Sequence, residues 1–247
     1  MEIHVLSFNI HKGFAAIGKE LTLSKIREAV RSTDAHILCL QEVLGHHEVH
    51  PNGAQFEYLA DSVWDHYAYG KNAVYDAGHH GNAILSKFPI VASENIDIST
   101  NAFERRGMLH ATLQIPAAEG LGEERTLHVV TVHLDLFEGG RRQQLQHLEQ
   151  RLETHVPAGE ALIVAGDFND WRCNATPILA KAGLEECFVL TRGREARTFP
   201  AWIPALRLDR IYVRGLVVEQ AQVCLGGIWS TLSDHAALLT TLRFEKN

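Results

Sequence analysis

Polar side chains stand at the ends of several short apolar runs in this sequence. Those that follow a run are Asn9 after residues 5–8, Gln41-Glu42 after 37–40, His133 after 129–132, and Asp167 and Asn169 after 161–165. Asp209 and the pair Asp234-His235 instead precede the apolar runs 211–213 and 236–239. An antiparallel strand begins where its neighbours end, so we expect these side chains to converge on one edge of the fold.

Oxygen donors dominate this set. They are the carboxylates of Glu42, Asp167 and Asp234 and the amides of Asn9 and Asn169. Hard ligands of this kind suit Mg²⁺ or Mn²⁺ better than Zn²⁺. Such an ion keeps several waters and binds phosphate oxygens, which favours a phosphate ester as the substrate. A single Asp or Asn at a strand end is more often a turn former, so it is their recurrence that indicates a site.

Histidines supply the second part of the chemistry. Because His235 follows Asp234 directly, a metal ligand and a proton carrier could approach the same phosphorus atom. Asp209 could orient that imidazole and stabilise its protonated form. His133 is a candidate hydrogen-bond donor to the leaving oxygen or to a non-bridging oxygen, although it could equally cap its strand.

Size and composition favour one enzyme-sized domain over residues 1–247. The chain is 46% hydrophobic and 21% charged, which is enough apolar material for a core and gives no sign of disorder. Its net charge of -7 argues against a protein that coats nucleic acid. The opening strand-like residues and the widely spaced cysteines predict no secretory signal and a reducing, cytoplasmic setting. No apolar run is long enough to span a bilayer.

Hydrophobic periodicity predicts about a dozen strands and four helices. The strands are expected at 3–10, 36–41, 67–75, 82–87, 90–98, 108–115, 126–134, 161–166, 184–190, 208–213, 217–225 and 236–243. The helices are expected at 22–33, 54–65, 139–155 and 175–182. The adjacent pairs His46-His47 and His79-His80 are expected in solvated loops. These elements fit two packed sheets with helices on the outer faces.

Taken together, the motifs resemble the endonuclease/exonuclease/phosphatase superfamily. They are Asn9 in Ser-Phe-Asn-Ile, Gln41-Glu42, His133 in Thr-Val-His-Leu, Gly166-Asp167-Phe168-Asn169, Leu208-Asp209-Arg210-Ile211 and Ser233-Asp234-His235. They occur in the order and spacing of that group and extend from residue 7 to about 239. The resemblance implies an α/β fold of the deoxyribonuclease I type, a four-layered sandwich of two mixed sheets flanked by helices. It also implies hydrolysis of a phosphate ester with a divalent metal.

The resemblance also implies a role for each matching residue. Glu42 would be a metal ligand with Asn9 close by, and Asp234 a further carboxylate on the metal side. Asp167 and Asn169 would contact phosphate, nucleophile or metal, and His235 paired with Asp209 would be the general base. His133 matches the second histidine of the deoxyribonuclease and sphingomyelinase branches. Apurinic endonucleases carry a tyrosine there, so His133 favours the other branches.

Further polar residues are candidates for holding the phosphate. Asn82 lies in Gly81-Asn82-Ala83-Ile84-Leu85-Ser86-Lys87, which resembles a phosphate-contacting strand of the superfamily. Arg106 could clamp two phosphate oxygens through its planar guanidinium, and His11 follows Asn9 closely. The most basic stretch contains Arg192, Arg194, Arg197, Arg207 and Arg210, where a polyanionic substrate would bind if it extends beyond the reacting phosphate.

We therefore expect a divalent-metal-dependent phosphodiesterase, either nuclease-like or acting on a lipid or small molecule. Two alternatives stay open: a phosphomonoesterase of the same superfamily and a catalytically silent module that binds phosphate. The expected partner is a phosphate ester, whether nucleic acid, phospholipid or small phosphodiester, bound by a monomer without stable membrane insertion. The sequence shows no long apolar hairpin for a lipid surface, and Trp202 could stack on a base, contact a lipid or pack inward.

Overall fold

Two six-stranded sheets form the centre of the protein in the computed structural model, which describes residues 1–18, 20–47, 53–117 and 123–245. In spatial order, the first sheet contains β11 (Leu216–Val223), β12 (Leu238–Phe244), β1 (Glu2–Asn9), β2 (Ile37–His47), β4 (Gly78–Ser86) and β3 (His66–Tyr75). The second contains β5 (Ile90–Asp97), β6 (Gly107–Ile115), β7 (Arg125–His133), β8 (Ala161–Asp167), β10 (Asp209–Arg214) and β9 (Glu185–Glu186). Both sheets are mixed, because β1 and β7 pair in parallel with β2 and β8.

Helices cover the outer faces of the sheets. The helices are α1 (Leu23–Ser32), α2 (Gln55–Ala60), α3 (Glu138–His155), α4 (Ala175–Leu179), α5 (Cys187–Arg192) and α6 (Trp229–Leu232), with single 3₁₀ turns at His11–Gly13 and Ala180–Ala182. The spacing of Leu145, Leu148 and Leu152 places them on one face of α3, and all three are buried against the second sheet. In α1, Ile26 and Val30 bury the equivalent stripe against the first sheet.

The core is divided into the layers expected of a sandwich. Side chains that alternate along β8 illustrate this, because Ile163 and Ala165 belong to the cluster between the sheets, whereas Leu162 and Val164 belong to the cluster under α3. A strand buried on both faces must be apolar throughout, which explains the unbroken run that ends at Gly166. The four-layered α/β sandwich expected from the sequence is confirmed.

Strand direction brings the chemically active ends together. β10 runs antiparallel to β8, with Asp209 opposite Asp167, and β7 runs parallel to β8, with His133 opposite Asp167. β12 runs antiparallel to β1, so the loop that carries Asp234-His235 enters at the edge where β1 ends in Asn9. The polar residues at strand ends and strand starts therefore lie along the same edge of the sandwich.

Three local expectations were wrong. Residues 184–190 are not one strand, because β9 stops at Glu186 and α5 begins at Cys187. Glu186 explains the change, since its carboxylate caps α5 by accepting the Val189 amide at 2.7 Å. The four-residue helix α6 was missed, being too short to show a period. The pairs His46-His47 and His79-His80 lie in β2 and β4, which stay paired beyond the end of β1, with β3 beside β4.

The cysteines carry free thiols in this structure. All four cysteines, each within the described ranges, are unpaired, and Cys39 and Cys187 are buried. Burial raises the pKa of the Cys39 thiol to about 12, so it behaves as an apolar core group. Among the described residues, no helix has the length and apolar character needed to cross a membrane.

Gly166 is a position that only glycine suits. Its φ is 145°, and an added Cβ would lie 2.0 Å from the Val132 carbonyl oxygen on β7. We predict that Gly166→Ala lowers the free energy of unfolding by about 3 kcal/mol, through backbone strain and overpacking. Gly159→Ala is the control, because its added Cβ meets no atom within 4 Å. Urea denaturation of both variants checks this, and equal midpoints would contradict it.

Candidate active site

Asp167 lies at the centre of the polar edge. Residues opposite each other on adjacent strands project to the same face, so the register of β7, β8 and β10 places His133, Asp167 and Asp209 side by side. His133 Nε2 lies 3.3 Å from Asp167 Oδ2. Asp167 is 1% exposed, and its second oxygen accepts the backbone amide of Asn169 at 3.0 Å.

His235 reaches the same carboxylate from the loop before β12. Its Nδ1 lies 2.9 Å from Asp209 Oδ2, and its Nε2 lies 3.6 Å from Asp167 Oδ2. The loop is anchored because Ser233 Oγ donates to the Asn9 carbonyl at 2.7 Å. Burial alone would lower the pKa of His235, but the Asp209 and Asp167 carboxylates outweigh it and raise the pKa to about 10. The imidazole is therefore held in a fixed orientation between two carboxylates.

Asn9 joins the two sheets at this point. From the end of β1 its Nδ2 donates to Asp167 Oδ2 at 3.1 Å and lies 3.4 Å from Glu42 Oε1. Its Oδ1 accepts the backbone amide of His11 at 3.1 Å. In this arrangement the amide nitrogen, rather than the oxygen expected of a metal ligand, faces the carboxylates. Asn9 thus holds Glu42 and Asp167 near each other.

A β-bulge determines where Glu42 points. In a regular strand Gln41 and Glu42 would project to opposite faces, and Gln41 projects inward, donating to Thr131 Oγ1 across the sheets at 2.9 Å. The pairing of β2 with β4 shifts register between Leu40 and Val43, and Glu42 has a φ of 54°. The bulge turns the Glu42 carboxylate toward Asn9. A positive φ at a non-glycine residue costs free energy, and His11, Lys12 and Asn169 share it at this edge.

Lys12 neutralises part of the negative charge at the site. Its Nζ lies 2.5 Å from Glu42 Oε2. Burial favours the neutral form of Glu42, but His133, in its protonated form at low pH, and Lys12 outweigh burial and hold the pKa of Glu42 well below its usual range. Burial also lowers the pKa of His133 well below its ordinary value, so at neutral pH this imidazole is uncharged and Lys12 is the cation that keeps Glu42 ionised.

Glu42, His133, Asp167 and His235 line a cleft of about 360 Å³. Its polar lining residues are Glu42, Arg106, His133, Asp167, Asn169, Asp234 and His235, and its apolar lining residues are Leu136, Trp171, Phe199, Leu206 and Leu208. The polar floor was expected from the strand ends. The apolar walls were not, because they come from loops, in which apolar residues have no period to reveal them.

The donor set fits a hard divalent cation. Asp167, Asp209 and His235 offer ligand atoms within 4.8 Å of one another, a group that could bind a metal. The Asp209 and His235 atoms are already bonded to each other, whereas Glu42 and Asp167 face each other across the Asn9 amide, with the Lys12 ammonium against Glu42. A buried and a partly buried carboxylate at close range favour a bound cation, and carboxylate oxygens suit Mg²⁺ or Mn²⁺.

The candidate phosphate-binding residues are placed differently. Arg106 lines the cleft, and its guanidinium contacts Glu104. Asn82 is buried and donates to the Gly107 carbonyl at 2.9 Å, so its amide nitrogen joins β4 to the start of β6. His11 lies outside the cleft lining, with Nδ1 3.8 Å from Asp234 Oδ1. Asn169 lines the cleft and donates from Nδ2 to the Leu134 carbonyl at 2.9 Å.

The arginine-rich stretch lies outside the cleft. Arg210 is fully buried and donates to the carbonyls of Asp209 and Asp170 at 3.0 and 3.1 Å, so it is part of the framework. The others line a separate depression of about 420 Å³; they are Arg192, Arg194, Arg197 and Arg207. Arg207 is flanked by Leu206 and Leu208, which line the cleft, so this segment separates the depression from the cleft.

Two mixed six-stranded sheets flanked by helices are the architecture of the deoxyribonuclease I-like fold. The model of the endonuclease/exonuclease/phosphatase family matches residues 6–235, and the chain belongs to this family. Members of the family are generally phosphoester hydrolases.

Individual relatives support the assignment at two levels. The uncharacterized protein YbhP of Escherichia coli K12 is 46% identical over 242 residues, covering 95% of this chain and 93% of YbhP. A solved endonuclease/exonuclease/phosphatase from Beutenbergia cavernae superposes with a TM-score of 0.78 at 19% identity, covering 98% of this chain and 72% of that one. The human nocturnin catalytic domain, solved with a bound sulfate, gives a TM-score of 0.73 at 22% identity, covering 99% and 94%. The solved structures share the fold.

Glu42 should dominate the affinity for the cation. We predict that Glu42→Gln weakens Mg²⁺ or Mn²⁺ binding by about tenfold or more, because it removes one of two facing carboxylates. Isothermal titration calorimetry on the purified chain measures this. Glu219→Gln is the control, because Glu219 lies on β11 and pairs with Arg243 at the surface. Unchanged affinity in Glu42→Gln would show that the cation binds elsewhere.

Proposed function

We propose that the protein is a divalent-metal-dependent phosphodiesterase that hydrolyses its substrate by in-line attack of water. The observation that supports this most strongly is the pairing of His235 with Asp209 at 2.9 Å, with the free nitrogen of His235 turned to Asp167 in the cleft. A base oriented by one carboxylate and aimed at a site with oxygen donors is what activation of water at phosphorus requires.

In this proposal His235 accepts a proton from the attacking water. Asp209 accepts the Nδ1 hydrogen, which fixes the tautomer and leaves Nε2 free to act as the base. The charge on Asp167 contributes to the raised pKa of His235. Offsetting the negative charge of Asp167 would therefore lower the pKa of His235 toward the range in which an imidazole works as a base at neutral pH.

Glu42 and Asp167 would hold the cation, with Asp234 beside them. Bound there, a divalent cation neutralises the charge that develops on the phosphoryl oxygens. Asn9 keeps the two carboxylates together through its shared amide nitrogen. Lys12, which contacts Glu42 at 2.5 Å, supplies positive charge at the same place and balances the carboxylates.

His133 and Arg106 would bind the phosphate from the other side of Asp167. The uncharged imidazole of His133 can donate one hydrogen bond to a phosphoryl or leaving oxygen, and Arg106 offers a planar set of donors. The water oxygen bonds to phosphorus as the ester P–O bond breaks. The proton taken from water is balanced by the proton that the departing alcohol gains, and the products are an alcohol and a phosphomonoester.

A silent binding module is disfavoured by the cost of the site. Asp167, Asp209 and His235 are almost completely buried, and buried charges cost free energy unless they are paired or used. Several residues at this edge also adopt a positive φ. A module that only held phosphate would need neither the buried imidazole–carboxylate pair nor the strained backbone, and cationic side chains would suffice.

Removal of the base tests the proposal. We predict that the purified protein hydrolyses bis(p-nitrophenyl) phosphate with Mg²⁺ or Mn²⁺ and loses this activity on chelation. His235→Ala should lower kcat by about 10² to 10⁴. His147→Ala is the matched control, since His147 is exposed on α3, and it should retain full activity. Metal-independent turnover, or full turnover in His235→Ala, would overturn the mechanism.

Asp167 is the second point of test. We predict that Asp167→Asn lowers kcat by about 10² or more while the far-UV circular dichroism spectrum stays that of the parent. The amide keeps the size of the side chain but removes the charge that faces His235, Asn9 and the cation. A variant that retains near-normal activity would refute the role given to Asp167.

A further inference from the structure

Large apolar side chains are exposed on the loops next to the strand ends that carry the cleft residues. They are Phe103, Leu136, Phe137, Trp171, Trp202 and Ile203, here called the apolar rim, with exposed fractions of 101, 54, 74, 43, 44 and 71%. Phe103 follows β5, Leu136 and Phe137 follow β7, Trp171 follows β8, and the last two precede β10. Exposed apolar residues scattered singly are ordinary, but a set from several loops around one opening marks a binding surface.

Buried polar groups fasten the loops that carry the rim. Asp135, 1% exposed, accepts from Thr100 at 2.9 Å and from the Phe137 amide at 2.8 Å, which ties the Phe103 loop to the Leu136 loop. Arg141 donates to the Leu136 carbonyl at 2.6 Å, and its guanidinium lies 4.8 Å from the centre of the Trp171 ring. The rim is thus held outward by specific contacts.

The segment 199–206, which the antiparallel bridge between Phe199 and Leu206 closes, is fastened as well. The amide of Ala201 donates to the Asp234 carbonyl at 2.8 Å, so the segment with Trp202 and Ile203 is joined to the loop that carries His235. The rim also continues into the cleft, because Leu136 and Trp171 line both. A ligand whose phosphate reaches the cleft floor must therefore place the rest of its structure against apolar side chains.

The charges near the rim do not suit a nucleic acid strand. Arg106 contacts Glu104, Arg172 pairs with Glu138 at 3.0 Å, and Arg141 is directed into backbone carbonyls. A strand needs cations along its backbone, and Arg194 and Arg197, which pair with no carboxylate among the described residues, line the separate depression.

The rim chemistry also differs from a base-stacking surface. Leu136 and Ile203 are aliphatic and offer no ring face to a base. One face of the Trp171 ring is covered by the Arg141 guanidinium. A mixture of Phe, Trp, Leu and Ile on loop tips is instead the composition that enters the boundary between headgroups and acyl chains.

We propose that the apolar rim seats the protein on a phospholipid surface and that its substrate is the phosphodiester of a phospholipid. This rests on the proposed phosphodiesterase function. The rim residues insert at the level of the upper acyl chains while the headgroup phosphate reaches His235 and Asp167. With a net charge of -7, the surface that fits is zwitterionic rather than strongly anionic. Water cleaves one ester P–O bond, which leaves an alcohol and a phosphomonoester.

The test compares two double variants on vesicles of phosphatidylcholine and phosphatidylethanolamine with Mg²⁺. Phe103→Ser with Ile203→Ser removes two rim side chains that do not line the cleft. The matched control is Val91→Ser with Val217→Ser, which removes exposed apolar side chains at the other end of the strands, 61 and 36% exposed. Co-sedimentation measures binding, release of phosphomonoester measures turnover, and bis(p-nitrophenyl) phosphate measures the chemistry without a surface.

We expect the wild type and the control to bind and hydrolyse the vesicles. The rim variant should lose about tenfold or more in vesicle binding, and in vesicle turnover relative to its own turnover of the soluble ester. Because Trp171 and Trp202 are exposed, tryptophan emission of the wild type should shift to the blue on binding. That shift needs no variant.

Other outcomes separate the two proposals. Turnover of the soluble ester without binding to vesicles would overturn the lipid inference and leave the proposed function standing. So would equal vesicle binding by the two double variants, or binding of single-stranded DNA that is lost in the rim variant. No turnover of any ester with either metal would overturn the proposed function, and the lipid substrate with it, whatever binds.

Discussion

Asp167 is a buried carboxylate whose charge must be compensated from several directions at once. Burying an isolated ionised carboxylate in a protein interior costs more free energy than a folded domain can lose and remain folded. Its compensation comes from Asn9 on β1, His133 on β7, the Asn169 amide beyond β8, and His235 on the loop before β12. These partners belong to both sheets, so parallel and antiparallel pairing must both be in register before the carboxylate is tolerated. The strand order and the polar contacts at this edge therefore depend on each other.

Much of the architecture could be predicted from hydrophobic periodicity and from the polar residues that end the apolar runs. The strands, the two sheets and the main helices were predictable because a buried strand such as β8 and an amphipathic helix such as α1 each have a distinctive pattern. The stretch after residue 184 was not, because its apolar residues fit either a strand or a helix. The decision depends on a single side chain, that of Glu186, capping the next turn.

Part of the candidate site could likewise be predicted from the sequence, and part could not. That Asp167, Asp209 and His133 lie together follows from their places at strand ends, since register carries them to one face. The direction of the Glu42 side chain could not be predicted from the sequence, because it depends on a bulge at a positive φ. Regular alternation along β2 would turn this side chain to the other face. Nor does the turn of the Asn9 amide or the contact of Lys12 with Glu42, which depend on contacts between distant segments. The apolar walls belong to loops, where sequence spacing gives no orientation.

The Asn9 amide links a carboxylate on one sheet to a carboxylate on the other. Glu42 is carried by one sheet and Asp167 by the other, and the thickness of the apolar layer between the sheets sets how far apart they stand. Ile163 and Cys39 lie in that layer and do not line the cleft, yet their volume sets the distance between the sheets and so the width of the cleft. In the proposed function, the fit of a cation between Glu42 and Asp167 would therefore depend partly on the hydrophobic interior, because a methyl group gained or lost there would change the distance between the two carboxylates.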